Sequence, residues 1–175
     1  RGPGLAALEA ARAAGRPVIL ATGHFGNYDA ARTALIARGF PIGGLYRPMS
    51  NPYFNQHYVR AIETIGKPLF PRGRAGMADM VRFLRSGGML AIVADQHMHH
   101  GILLDFFGAP ARTALSAAEL ALKYDADLIP VYGIRQPDGL SFVVEVEAPV
   151  APGTPEAMTQ ALNDSLEALV RKNLD

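Results

Sequence analysis

A chain of 175 residues with 49% hydrophobic and 19% charged residues is long enough for one globular domain with its own core. It has no cysteine, which excludes disulfides and thiolate chemistry, and no run approaching ~18 apolar residues, which excludes a bilayer-spanning helix. The net charge of +1 hides an asymmetry: residues 1–112 hold 13 basic and 6 acidic groups (+7), and residues 113–175 hold 4 and 10 (−6). That imbalance fits either a solvated surface or an anionic partner on the amino-terminal side. Arginine outnumbers lysine 14 to 3, which suits bidentate contacts to phosphate or carboxylate. No basic run interleaved with aromatics occurs, so nothing points to nucleic acid.

The chain begins in a helix-like pattern and then alternates. "PVILAT" (17–22) reads as a short buried strand, and "YDAARTALIARG" (28–39) as a helix stopped by glycine. "PIGGLY" (41–46) is a weak strand. "NPYFNQHYVRAIETIG" (51–66) has an Asn cap, proline at the first helical position and a closing glycine, the start and stop signals of a helix. "KPLF" is a short strand, and "RAGMADMVRFLRSGG" a helix with Met77, Met80, Val81 and Leu84 on one face. "MLAIVAD" (89–95) is the clearest buried strand. "TALSAAELALKYDA" reads as a helix, "DLIPVYGIR" and "LSFVVEVE" as strands meeting in a hairpin around Pro137, Asp138 and Gly139, and "TPEAMTQALNDSLEALVRKN" as a closing amphipathic helix.

Strands alternating with helices predict one α/β domain over residues 1–175, with a layered, mostly parallel central sheet flanked by helices. In open sheets of this kind, ligand chemistry gathers at the carboxyl ends of the strands. Two polar segments fall there: "TGHFGNYD" (22–29) and "ADQHMHHG" (94–101).

In the first segment His24 follows the strand, Asn27 can cap the helix, and Asp29 falls in its first turn, where a carboxylate favours the helix dipole. A chain folding back here would let His24 and Asp29 share a hydrogen bond, as in a histidine–carboxylate general base. No serine or cysteine stands nearby as a nucleophile, so such a base would deprotonate a substrate hydroxyl directly. Spacing alone equally allows a structural turn histidine and a helix-start acid.

Other positions carry paired readings. Arg47, between a weak strand and a capped helix, is placed to reach a substrate phosphate or to sit on a surface loop. Asn51 is a helix cap first and a substrate contact second, and Arg60 fits an ion pair with Glu63 or solvent. Arg72 and Arg74 flank a glycine ahead of a helix, and Arg74 is expected to meet the substrate. Asp95 and Gln96 end the best strand, where either a turn or a site role is open. His97, His99 and His100 beside Asp95 raise metal binding, but their spacing matches no defined ligand pair, so no metal and no cofactor is expected. Phe106, Phe107 and Gly108 fit the border of an apolar groove, core packing or membrane contact alike.

Taken in order, several of these segments resemble one family. "GHFGNYD" looks like the histidine–four residues–acid motif of the glycerolipid acyltransferases, and more closely that of the lipid A biosynthesis (lauroyl/myristoyl) acyltransferases. "GLYRPMSNPYFNQHYVRAIETIG", "GMADMVRFLRSGGMLAIVADQ" and "FFGAPARTALSAAELALKYDADLIPVYGIR" resemble later segments of the same family, so the likeness runs over roughly residues 5 to 170. "FPRG" is similar to a glycerolipid phosphate-binding motif only superficially, with Arg72 where a glutamate would stand.

The resemblance implies transfer of a fatty acyl chain from an acyl thioester, usually on acyl carrier protein, to a hydroxyl of a lipid A precursor at the cytoplasmic face of the inner membrane. His24 would be the base and Asp29 its partner, with Arg47, Asn51, Arg74, Asp95 and Gln96 as substrate contacts. Many lipid A members carry glutamate where this chain has Asp29, which leaves lysophospholipid, glycerophosphate and glycolipid acceptors open. The family's amino-terminal membrane helix and carboxyl-terminal aromatic and basic stretch have no match here, so the chain is expected to be a soluble piece of a longer, membrane-bound protein. Two more distant alternatives stand beside this: a phosphate-binding α/β module, against which no Gly-rich nucleotide motif occurs, and a hydrolase with a metal on His97, His99 and His100.

Overall fold

The computed structural model describes residues 1–174. In chain order the elements are α1 (Gly4–Ala14), β1 (Val18–Thr22), α2 (Tyr28–Ala37), β2 (Ile42–Tyr46), α3 (Pro52–Glu63), β3 (Leu69–Pro71), α4 (Arg74–Arg85), β4 (Met89–Val93), β5 (Ile102–Phe106), β6 (Ala109–Thr113), α5 (Ser116–Tyr124), β7 (Asp127–Arg135), β8 (Phe142–Val146) and α6 (Pro155–Lys172). Six strands form one sheet in the order β3-β2-β4-β1-β7-β8, parallel except for β8, which returns antiparallel on β7. The expected layered α/β domain and its terminal hairpin are therefore observed.

Successive side chains of a strand face opposite ways, and the core divides accordingly. Val18 and Leu20 pack with Leu8 and Ala11 of α1 and Ala31 and Leu35 of α2. Ile19 and Ala21 pack with Met80 and Leu84 of α4, Ala117 and Ala121 of α5, and Met158 and Leu162 of α6. Strand β1 is buried at every residue because helices cover both its faces, which is why "VILAT" reads as an unbroken apolar run. Of the predicted face of α4, Met80 and Leu84 are fully buried, Val81 is half-buried and Met77 is exposed.

Two features were not anticipated. Strands β5 and β6 form a separate two-stranded hairpin, in a stretch to which the sequence analysis assigned no element. Helix α3 forms where its caps predicted, with Asn51 Oδ1 accepting from the N–H groups of Tyr53 and Phe54, yet it buries none of its residues. Among the described residues no helix is long and apolar enough to cross a membrane.

Topology decides where a site can form. From β1 the chain passes through α2 to β2, beyond β4 on one side. From β4 it passes through the hairpin and α5 to β7, beyond β1 on the other. The neighbouring carboxyl ends of β1 and β4 are thus a topological switch point, where the departing connections diverge and leave a crevice.

Candidate active site

His24 leaves β1 and Asp95 leaves β4, so the switch point brings them face to face. The imidazole Nδ1 lies 2.7 Å from Asp95 Oδ1, and the backbone N–H of His24 donates to Asp95 Oδ2, also at 2.7 Å. Both carboxylate oxygens are committed to one residue, which fixes the ring and leaves Nε2 without a hydrogen-bond partner among the described residues. The His24 side chain is 46% exposed and that of Asp95 only 20%, so the ring faces outward and its partner is sheltered behind it.

Glycines make this approach feasible. A Cβ on Gly23 would lie 3.1 Å from Asp95 Oδ2 and 2.9 Å from Leu166 Cδ2, so any side chain there would press on the carboxylate. Gly26 adopts φ 66° and pairs with Gly133 of β7, whose carbonyl accepts the Asn27 N–H at 2.8 Å. A Cβ on either glycine would collide with backbone of the other segment. The turn carrying His24 is thereby seated directly on the sheet. Asn27 then caps α2, its Oδ1 accepting from Ala30 N–H at 3.1 Å, as the sequence led one to expect.

The expected His24–Asp29 hydrogen bond is not formed, because the ring turns toward β4 and Asp95 takes that position. Asp29 stands half-buried in the first turn of α2, and burial pushes its carboxyl above the ordinary range while the Arg32 guanidinium opposes the rise. Its charge is felt by Tyr28 and Tyr58, whose hydroxyls are pushed up, first by burial and then by Asp29. Arg32 itself is buried across Gly44 and donates to the carbonyls of Gly66 (2.5 Å) and Ile62 (3.4 Å), tying α2 to the end of α3.

His24 opens into a groove of about 430 Å³ lined by Tyr28, Tyr46, Arg47, Met49, Tyr58 and Gln96, among others. Of the predicted contacts, Arg47 and Gln96 line this groove, whereas Asn51 acts as the α3 cap and Arg74 begins α4, both outside its lining. Asp95, expected among the substrate contacts, instead holds His24. An apolar pocket formed by Leu45, Met77, Ile92, Val93, Met98 and Leu120, with Arg72 and Gln96, adjoins the groove and shares Leu45, Ile92, Val93 and Gln96 with it. Phe106 borders a separate cavity of about 380 Å³ behind Asp95, with Leu103, Arg112 and Asn163, while Phe107 is exposed under the Arg171 guanidinium.

Arg60 is exposed, and Glu63 pairs with Lys67. The rings of His97 and His99 meet edge to face with their centroids 5.2 Å apart, and among the described residues no three histidine or acidic side chains converge as metal ligands would. Sequence reasoning missed Gly23 and the tyrosine wall of Tyr28, Tyr46 and Tyr58. The glycine was visible beside His24, but the carboxylate it accommodates lies 71 residues from that histidine.

Comparison with known proteins points to one family. The family model for the bacterial lipid A biosynthesis acyltransferases matches residues 2–175. The phosphatidylinositol mannoside acyltransferase of Mycobacterium tuberculosis (strain CDC 1551 / Oshkosh) is 29% identical over 165 residues, which cover 92% of this chain and 52% of that protein. Its counterpart from Mycolicibacterium smegmatis is 28% identical over 159 residues, covering 89% and 52%. The lipid A biosynthesis acyltransferase of Haemophilus influenzae is 24% identical over 170 residues, covering 95% and 53%. The chain spans about half the length of these relatives. Across nearly its whole length, then, the chain is similar to acyltransferases of this kind, and it belongs to the bacterial lipid A biosynthesis acyltransferase family.

Proposed function

We propose that this chain carries the acyl-transfer centre of an enzyme that moves a fatty acyl group from a thioester, on acyl carrier protein, to a hydroxyl of an anionic glycolipid at the inner membrane. The observation that carries the reading is the 2.7 Å His24 Nδ1–Asp95 Oδ1 contact at the mouth of the groove. A lipid hydroxyl is far too weak an acid to ionise at neutral pH, and a histidine with one nitrogen fixed and the other free is suited to take its proton. Asp95 orients the ring and stabilises the imidazolium as it forms. The oxygen attacks the thioester carbonyl, the carbon–sulfur bond breaks, and the proton on His24 passes to the departing thiolate.

A thioester is reactive enough that no acyl-enzyme is required, consistent with the lack of cysteine. Arg47 and Gln96 are proposed to hold the polar head of the substrate, and the adjoining apolar pocket the start of the acyl chain. Asn51 and Arg74 reach the substrate only in the outer part of the site. Asp29 assists electrostatically through the Tyr28–Tyr58 side of the groove. A glycolipid acceptor, which spans both a lipid A precursor and a phosphatidylinositol mannoside, is favoured over a simple lysophospholipid. Three tyrosines and one arginine around His24 offer flat faces for a sugar and a cation for its phosphate.

The test is acyl transfer from acyl carrier protein thioester to a panel of lipid A precursor, phosphatidylinositol mannoside and lysophospholipid. Wild type should acylate a glycolipid, and a folded His24→Ala variant should lose about 10²–10⁴ in rate. Activity surviving that substitution sinks the mechanism. Transfer confined to lysophospholipid keeps the mechanism and removes the glycolipid acceptor.

A further inference from the structure

We propose that the beginning of α3, with the loop before it and the neighbouring start of α4, is a docking surface for an anionic lipid bilayer. The inference rests on the reading above that the acceptor is a lipid.

Soluble helices normally bury one face, but α3 buries no residue fully: Asn55, Tyr58, Val59, Ile62 and Glu63 are only half-buried on the face it turns to the fold. Its first turn instead presents Tyr53, 84% exposed, and Phe54, 56% exposed, to solvent. Met49 in the preceding loop and Met77 on α4 are exposed as well. These side chains are gathered at one place in the fold. Residues 47–51 and 72–74 follow the carboxyl ends of the adjacent parallel strands β2 and β3, and the Arg72 N–H donates to the Tyr46 carbonyl at 2.8 Å. Met49 also lines the His24 groove, and Met77 lines the apolar pocket that adjoins it. The apolar patch is therefore the rim of the candidate site.

Its charge identifies the occupant. Arg47, Arg72 and Arg74 are exposed around the same rim, and among the described residues none has a carboxylate within 4 Å. Aromatic and methionine side chains flanked by unpaired arginines match an anionic interface, where the rings enter the headgroup boundary and the guanidiniums meet phosphates. A second copy of this chain would bring the same positive charge against itself across a symmetric contact, which disfavours it as the partner. With this surface against the bilayer, a lipid could present its head group to His24 while its chains stay in the membrane.

The chain has no tryptophan, so a single introduced one reports its own position. Phe54→Trp, with Tyr53→Trp as a second probe, would be compared with Leu122→Trp. Leu122 is an exposed position on α5 close to the start of β7, at the opposite end of the sheet. Each variant is mixed with vesicles of phosphatidylcholine containing about 30% phosphatidylglycerol, with or without bromine on the acyl chains. The expected result is a blue shift and bromine quenching at position 54 and not at 122, weaker on pure phosphatidylcholine. Arg72→Ser should reduce affinity for the anionic vesicles about fivefold.

An emission spectrum of the Phe54→Trp variant that stays unchanged at saturating lipid, or equal quenching at position 122, overturns the proposal. So does a blue shift that grows with protein concentration in the absence of vesicles, which would identify a second copy as the occupant. Failure of the acyltransferase reading is separate: it would leave the indole at position 54 in the bilayer with no transfer to any lipid.

Discussion

Asp95 holds His24 at two points, accepting from its backbone N–H through Oδ2 and contacting ring Nδ1 through Oδ1, each at 2.7 Å and across 71 residues of chain. The double contact fixes both where the histidine stands and how its ring is turned. Asp29, five residues from His24, contacts neither atom.

If this geometry governs the chemistry, Asp95→Asn should damage turnover more than Asp29→Asn does. An asparagine in place of Asp95 can keep the contact to the backbone but no longer stabilises an imidazolium. The expected loss in kcat is about 10² or more for Asp95→Asn, with a smaller loss for Asp29→Asn. Steady-state kinetics of the two folded variants checks this, and the reverse order would restore Asp29 as the partner of His24.

Gly23 should be nearly as sensitive as the side chains it separates. Gly23→Ala places a methyl 3.1 Å from Asp95 Oδ2, so the carboxylate or β1 must yield by some tenths of an ångström. A displacement on that scale at a proton-transfer centre is expected to cost roughly tenfold or more in kcat, with the far-ultraviolet circular dichroism unchanged. Gly26→Ala should behave differently. It adds strain at φ 66° and a collision with β7, so it is expected to lower stability by about 1–3 kcal/mol, read from denaturant unfolding.

Asp29 carries a pH signature. Burial raises its folded-state pKa above the ordinary 3.8, so the ionised carboxylate costs the fold stability. That cost is absent below the unfolded value and grows as pH rises through the raised folded one. Asp29→Asn should therefore have a higher Tm than wild type at neutral pH, with the difference shrinking as pH falls toward the ordinary carboxylate range. Thermal melts of both proteins across this range provide the check, and a wild type that is the more stable at neutral pH contradicts the assignment.

The β5–β6 hairpin should prove to be latched by polar side chains of α6. Gln160 Oε1 accepts from Asp105 N–H at 2.9 Å, Gln160 and Asn163 both donate to the Asp105 carbonyl at 3.0 Å, and Glu167 accepts from Phe107 N–H at 2.7 Å. Gln160→Ala removes one acceptor and one donor. A local loss of about 1–2 kcal/mol is expected, seen as roughly ten times faster amide hydrogen exchange at Asp105 with little change in β1 or β4. Uniform acceleration through the chain would mean that the latch supports the whole fold.

That hairpin also shows why part of the structure was hidden in the sequence. Strand β5 alternates between half-buried and exposed residues, and it is fastened by hydrogen bonds from a helix 55 residues away. Its half-buried positions Ile102, Leu104 and Phe106 are apolar, but the exposed Leu103 between them blurs that alternation. In contrast β1, β4, α2 and α3 were legible because their signals are local: unbroken apolar runs under two helical layers, and Asn27 and Asn51 capping the helices that follow them.

The sequence by itself thus determined the layered α/β class, the positions of nearly all elements, and the two polar segments that end β1 and β4. It also identified His24 as the base to consider, through its position after a buried strand and the motif around it. Only the tertiary structure decided the partner of that histidine. Parallel pairing sets Thr22 beside Val93, so the chain ends its two central strands in register and delivers Asp95 to His24. The helix-start carboxylate at position 29 is close in sequence, but α2 carries it toward Tyr28 and Tyr58. Register between strands far apart in the chain is fixed by the packing of the whole core, and no local pattern encodes it.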